Sequence, residues 1–186
     1  MASQEPHAAE KSSYDLAVGA IREPFRRQGI DGYDQSWYPL AKSDDIKPGG
    51  IQGMPFLSGR VIVYRGQNGV AQVMSAYCAH LGADLTAGAV VGDSVQCPFH
   101  RWEYGADGRC SRIPAGDAIP PEARVFVYPT AEALGLIWAF NGVAPLYPVP
   151  SLDVDPAQWL IYSQRVRDQP VDPPVAMCNT VSYTHL

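Results

Sequence analysis

CAHLGADLTAGAVVGDSVQCPFH, residues 78–100, begins on a Cys-x-His box and ends on a Cys-x-x-His box. Each box offers one sulfur, Cys78 or Cys97, and one imidazole, His80 or His100. The interval carries its own turn: Gly92-Asp93 separates Val90-Val91 from Ser94–Gln96 and reads as a hairpin. Both boxes therefore fall in loops at strand ends. Gly82 lets the backbone bend beyond the first box and Pro98 stiffens the second.

Outward from this stretch the texture stays β. Gln67-Asn68-Gly69 lies between Arg60–Arg65 and Val70–Ser75, and Ala106-Asp107-Gly108 lies between Trp102–Tyr104 and Arg109–Ser111. Both patterns predict hairpins. Further strands are expected at Ala123–Tyr128 and Gly135–Asn141. Residues 1–35 read as a polar arm with a short helix near Tyr14–Arg27, interrupted by Pro24. Seven prolines from Pro145 to Pro174 read as an extended connector, which puts a domain boundary near Pro150. The division is an arm over 1–35, an all-β domain of antiparallel sheets over 36–150, and a connector over 151–186.

Composition excludes several classes. The 186 residues are 46% hydrophobic with net charge −5, so the basic footprint of a nucleic-acid binder is missing. The most apolar run, Leu134–Phe140 broken by Gly135, is far shorter than the roughly 20 residues that span a bilayer. No membrane association is expected, the polar N-terminus lacks an export signal, and a cytoplasmic home is the default. No Gly-rich phosphate loop or GxGxxG is present. The four cysteines, at 78, 97, 110 and 178, are too few and scattered for a disulfide framework.

Two Cys and two His brought together from two loops are the donor set of a [2Fe–2S] centre with thiolates on one iron and imidazoles on the other. A Cys₂His₂ set can also bind zinc, although zinc sites usually pair Cys with Cys and His with His along the chain, whereas here each pair is mixed. Leu81 and Trp102 are candidates to cover the cluster. Cys110 reads as a strand or core thiol, His7 as a solvated side chain, and Tyr104, Trp138 and Phe140 as core.

Residues 37–142 closely resemble the Rieske domain of the oxygenase component of Rieske non-haem iron oxygenases, the ring- and steroid-hydroxylating type. The resemblance runs through Trp37-Tyr38-Pro39-Leu40, Cys78–Ala83, Cys97–His100, Trp102, Asp107–Cys110, Ile113-Pro114 and Gly135–Trp138. It implies a Rieske (ISP-like) fold with a two-loop cluster-binding subdomain, and a [2Fe–2S] cluster held by Cys78, His80, Cys97 and His100. It further implies the N-terminal part of an oxidoreductase that accepts electrons from a ferredoxin or flavin reductase. Such proteins hand electrons to a mononuclear Fe(II) in a catalytic domain, hydroxylate an aromatic or steroid-like substrate, and assemble as homotrimers. A free-standing Rieske ferredoxin is the alternative, although it would need neither the arm nor the connector.

Several positions depart from that pattern. Arg101 stands where such oxygenases most often have Gly, which an exposed loop accepts if φ is negative. Its charge would favour the reduced cluster and an acidic partner, and an inert surface charge is the competing reading. Ala83 and Phe99 replace the extra cysteines of respiratory Rieske proteins. Trp102 replaces their serine donor, which points to a potential low in the Rieske range. Near the end, Asn179, Ser182 and His185 imitate the family's N-x-x-D-x-x-H, with Ser where Asp is expected. His185 is not assigned as a ligand, and the fragment is expected to lack the catalytic iron site.

Overall fold

A computed structural model describes residues 33–116 and 118–153. The expected helix near Tyr14–Arg27, Cys178, the segment around His185 and most of the connector lie outside these residues. The described chain is all-β: β1 Trp37–Lys42, β2 Ile51–Phe56, β3 Gly59–Arg65, β4 Ala71–Ser75, β5 Ala89–Val91, β6 Ser94–Gln96, β7 Glu103–Tyr104, β8 Cys110–Arg112, β9 Val127–Tyr128, β10 Thr130–Ala133 and β11 Leu136–Phe140. Short 3-10 turns at Ser43–Asp45 and Leu85–Ala87 interrupt them. Every pairing is antiparallel, in three sheets ordered β1-β11-β10, β2-β3-β4-β9 and β5-β6-β7-β8.

The middle sheet faces two cores. Side chains alternate along a strand, so in β3 Val61 and Val63 join one apolar cluster with Phe56, Val73, Tyr128 and Ile137. Ile62 and Tyr64 join the other with Met74, Leu85, Val95 and Tyr104. Burial on both faces explains the unbroken Val-Ile-Val-Tyr run, whose four side chains are fully buried. The first core binds the middle sheet to β1-β11-β10, and the second binds it to the lobe β5–β8. That second core also contains Cys78 and Cys97.

Hairpin turns stand where the sequence predicts them, with ends shifted by about a residue. β1, β2 and β10 were not legible as separate strands. The strand expected over Ala123–Tyr128 narrows to Val127–Tyr128, because its first half bonds a turn instead of a ladder: Cys110 N–H donates to Ala123 O at 2.7 Å, Val125 N–H to Gly108 O at 2.9 Å. Only an isolated bridge, Arg109 to Arg124, remains there.

Candidate metal centre

Two loops of the lobe carry the boxes. The first leaves β4 and is closed by a bridge between Tyr77 and Asp84, by Cys78 N–H donating to Ala83 O at 2.9 Å, and by Gly82 N–H donating to Cys78 O at 2.8 Å. Gly82 takes φ +74, the left-handed turn its lack of Cβ allows. Asp84 then accepts from Thr86 N–H at 2.9 Å and starts the next 3-10 turn. The second loop joins β6 to β7 and is closed by Cys97 N–H donating to Trp102 O at 2.8 Å.

These closures bring all four expected ligand residues to one end of the lobe. Cys78 and Cys97 are each 1% exposed, and their thiols are near enough to share a hydrogen bond. His80 and His100 are exposed, their rings 4.7 Å apart edge to face. Sulfur lies inward and imidazole outward. Among the described residues no three His, Cys, Asp or Glu side chains converge as they would around a single ion. Two pairs of like donors suit two irons better than one tetrahedral zinc.

The thiol pair gives up its first proton readily. Cys97 is pushed down to about 6, chiefly by the hydrogen bond from Cys78 and against its own burial, with backbone N–H groups of Phe99 and His100 assisting. Cys78 is held well above the thiol range, first by that same bond and then by burial. Tyr104, fully buried, places its hydroxyl 3.0 Å from Cys78 Sγ, where it can donate to the sulfur. Tyr104 is core, as expected, but the sequence offers no hydroxyl donor to the sulfurs. The structure corrects this: a donor is present, two residues beyond the position where serine was missed, and it opposes the low potential expected. No sequence signal places that hydroxyl against a sulfur 26 residues away.

Trp102 is half-buried and lies flat on His80, centroids 4.5 Å apart and planes 5° off parallel. It stacks on the imidazole and also packs against the core that contains Cys78 and Cys97. Leu81, beside His80 in the first loop, is 61% exposed. Beside His80 and Trp102 a cleft of about 190 Å³ is walled by Pro120, Glu122 and Ala123, a segment sequence reading did not connect with the site. Cys110 is a buried strand thiol at the start of β8, as expected.

Arg101 differs from expectation. Its φ is +60, the region glycine favours, at a cost of about 1 kcal/mol. Its guanidinium Nη1 donates to Gln96 Oε1 at 2.9 Å, Gln96 Nε2 donates to Glu103 Oε1 at 2.8 Å, and that oxygen also accepts from Arg112 Nη1 at 2.8 Å. This chain of bonds ties the loop to β6, β7 and β8.

A family model described as Rieske [2Fe-2S] domain matches residues 36–129. Among curated relatives, a cholesterol 7-desaturase of Xenopus laevis is 35% identical over 138 residues, 71% of this chain and 30% of that protein. A 3-ketosteroid-9-alpha-monooxygenase oxygenase component of Rhodococcus rhodochrous is 33% identical over 140 residues, 75% of this chain and 35% of that one. Among solved structures, dicamba monooxygenase bound to dicamba superposes with TM-score 0.61 at 30% identity, over 66% of this chain and 38% of its own. The chain thus spans about a third of the length of these relatives.

Proposed function

From the premise that the chain belongs to the Rieske [2Fe-2S] domain family, we propose that Cys78, His80, Cys97 and His100 hold the cluster and that the chain is the electron-transfer part of a Rieske non-haem iron oxygenase. The observation that carries this reading is the sorting of donors: two buried sulfurs that share a hydrogen bond and two exposed imidazoles, delivered by two closed loops. A bound [2Fe–2S] cluster supplies one-electron redox chemistry.

The residues of the chain do the rest. Cys97 is poised to lose its proton near neutral pH, as a thiolate ligand must. Backbone N–H groups of His80, Phe99 and His100 and the Tyr104 hydroxyl point at the sulfurs and stabilise their negative charge. Leu85, Val95 and Tyr104 pack around the sulfurs and exclude water. The outward imidazoles give an electron a short route to a partner, and Trp102 keeps His80 in position by stacking.

In this reading residues 1–35 form an arm, 36–150 the cluster domain, and 151–186 lead toward a catalytic domain carrying mononuclear Fe(II). Hydroxylation of an aromatic or steroid-like substrate is assigned in this reading to a longer protein, because the chain spans only about a third of the length of the relatives it matches. The matched relatives are oxygenases and a desaturase, which supports this over a free-standing ferredoxin. A ferredoxin or flavin reductase as donor, a homotrimer and a cytoplasmic location complete the proposal. No helix of the described residues is long and apolar enough to cross a membrane.

The test is metal analysis with EPR of the dithionite-reduced protein. Iron and acid-labile sulfide in equal amounts with a Rieske-type signal are expected, lost in Cys97→Ser and altered or lost in His100→Cys. Zinc in place of iron, or an unchanged spectrum in both variants, overturns the assignment.

A further inference from the structure

We infer that Arg101 is a docking residue for an anionic electron-transfer protein, held beside the exposed imidazole pair as a preorganised positive charge with no carboxylate partner among the described residues. The inference rests on the assignment of those imidazoles to the cluster and adds the chemistry of the partner that meets them.

The neighbouring arginines show what is unusual. Arg60 faces Asp84 at 3.3 Å, Arg109 faces Asp107 at 3.5 Å and Arg112 faces Glu103 at 2.8 Å. Arg101 alone among these bonds a neutral group, the amide oxygen of Gln96. The bond restrains the guanidinium without cancelling its charge. Gln96 in turn is fastened to Glu103, whose own charge is answered by Arg112. The bond to Gln96 thus fixes the guanidinium on a loop whose backbone is itself closed by the Cys97–Trp102 hydrogen bond.

The surroundings match a transient interface. Leu81 and Phe99, 61% and 62% exposed, flank the exposed His80 and His100. Apolar contact with a charged rim suits a small, short-lived encounter surface. The chain as a whole carries net charge −5 and repels an acidic protein at long range. A fixed cation at the tip offers such a partner one attractive point, beside the imidazoles, and so selects the productive orientation. One electron passes between the partner, an acidic one-electron carrier, and the site; no proton or bond is exchanged.

The experiment uses the cluster-loaded full chain, reduced and mixed by stopped flow with one-electron oxidants of opposite charge: ferricyanide and tris(phenanthroline)cobalt(III). Arg101→Gln is compared with the native protein, and Arg101→Gly serves as the variant whose backbone fits the left-handed conformation without strain. At low ionic strength both variants are expected to slow ferricyanide about threefold and speed the cobalt complex by a similar factor, differences that fade at high salt. A shift in reduction potential moves both rates together, so opposite movement reads charge alone. Gln96→Ala, which frees the cation without removing it, gives a smaller change of the same sign. Reduced flavodoxin, an acidic protein donor, loses about threefold in second-order rate with Arg101→Gln. Rates blind to the substitution, rates that move in parallel, or an indifferent flavodoxin overturn the inference. A preparation without iron and sulfide removes the assignment beneath it, whereas a loaded protein with charge-blind kinetics removes only this step.

Discussion

Tyr104 stands at the meeting of packing and chemistry: its ring fills the lobe core and its hydroxyl reaches a sulfur. Donation to a thiolate withdraws charge and stabilises the reduced, more negative state. Tyr104→Phe keeps the ring and deletes the donor, so the reduction potential should fall by about 40–60 mV, the one-electron equivalent of a hydrogen bond worth roughly 1 kcal/mol. Potentiometric titration followed by EPR or circular dichroism checks this, and an unchanged potential would show that the contact carries no charge stabilisation. The four proposed ligands stand out in the sequence because each Cys and its His are close together and the donor types are rare. Tyr104 does not, because its partner comes from another loop. The backbone at Arg101 is hidden for a related reason: side-chain identity argues for negative φ, but residues 97–102, closed by the Cys97–Trp102 bond, are left-handed at this position.

The β7–β8 hairpin illustrates the same limit for an element. Asp107-Gly108 marks its turn plainly, and Asp107 Oδ1 accepts from Arg109 N–H at 3.0 Å. Gly108, at φ +76, also lies against the 124–125 segment, where a Cβ would come within 2.3 Å of Val125 O. The clash is with backbone and cannot be relieved by a rotamer. Gly108→Ala should therefore destabilise the fold by about 2–3 kcal/mol in denaturant titration, well beyond the usual cost of an exposed Gly→Ala turn substitution. An effect below about 0.5 kcal/mol would mean that the segment yields freely. A turn residue announces the turn; the second surface that rests on it is supplied by residues far along the chain.

At the scale of the whole molecule, an ion pair among the described residues joins two sheets. Arg65, nearly buried on β3, gives both terminal nitrogens to Glu132 on β10 at 2.7 and 2.9 Å and also donates to Ile46 O, Ser43 O and Gly69 O. The hydrogen bonds from Arg65 hold the Glu132 carboxyl below its usual range. A depressed carboxylate stabilises the fold above its unfolded pKa, near 4.3, and that contribution is lost as pH falls through the lower folded value. Native protein should thus weaken on acidification below about pH 4.5, and Glu132→Gln should be weaker at neutral pH by roughly 1–2 kcal/mol, discounted for the partial exposure of the carboxylate, with a flatter acid limb. Parallel acid limbs would deny the pair this role. The two cores predict a second whole-molecule behaviour. The core between β1-β11-β10 and the middle sheet contains none of Cys78, His80, Cys97 or His100. Stripping the metal should leave amides of Val61–Tyr64 slow to exchange while residues 78–83 and 97–102 become fast; uniform loss of protection would show one indivisible unit. What the sequence by itself determined was local: strand alternation, turn chemistry and the two Cys/His boxes, all written within a few residues. Only the tertiary structure decided which hydroxyl meets which sulfur, which arginine keeps its charge and which glycine supports a distant segment. Those outcomes depend on contacts between residues far apart in sequence, which no local pattern encodes.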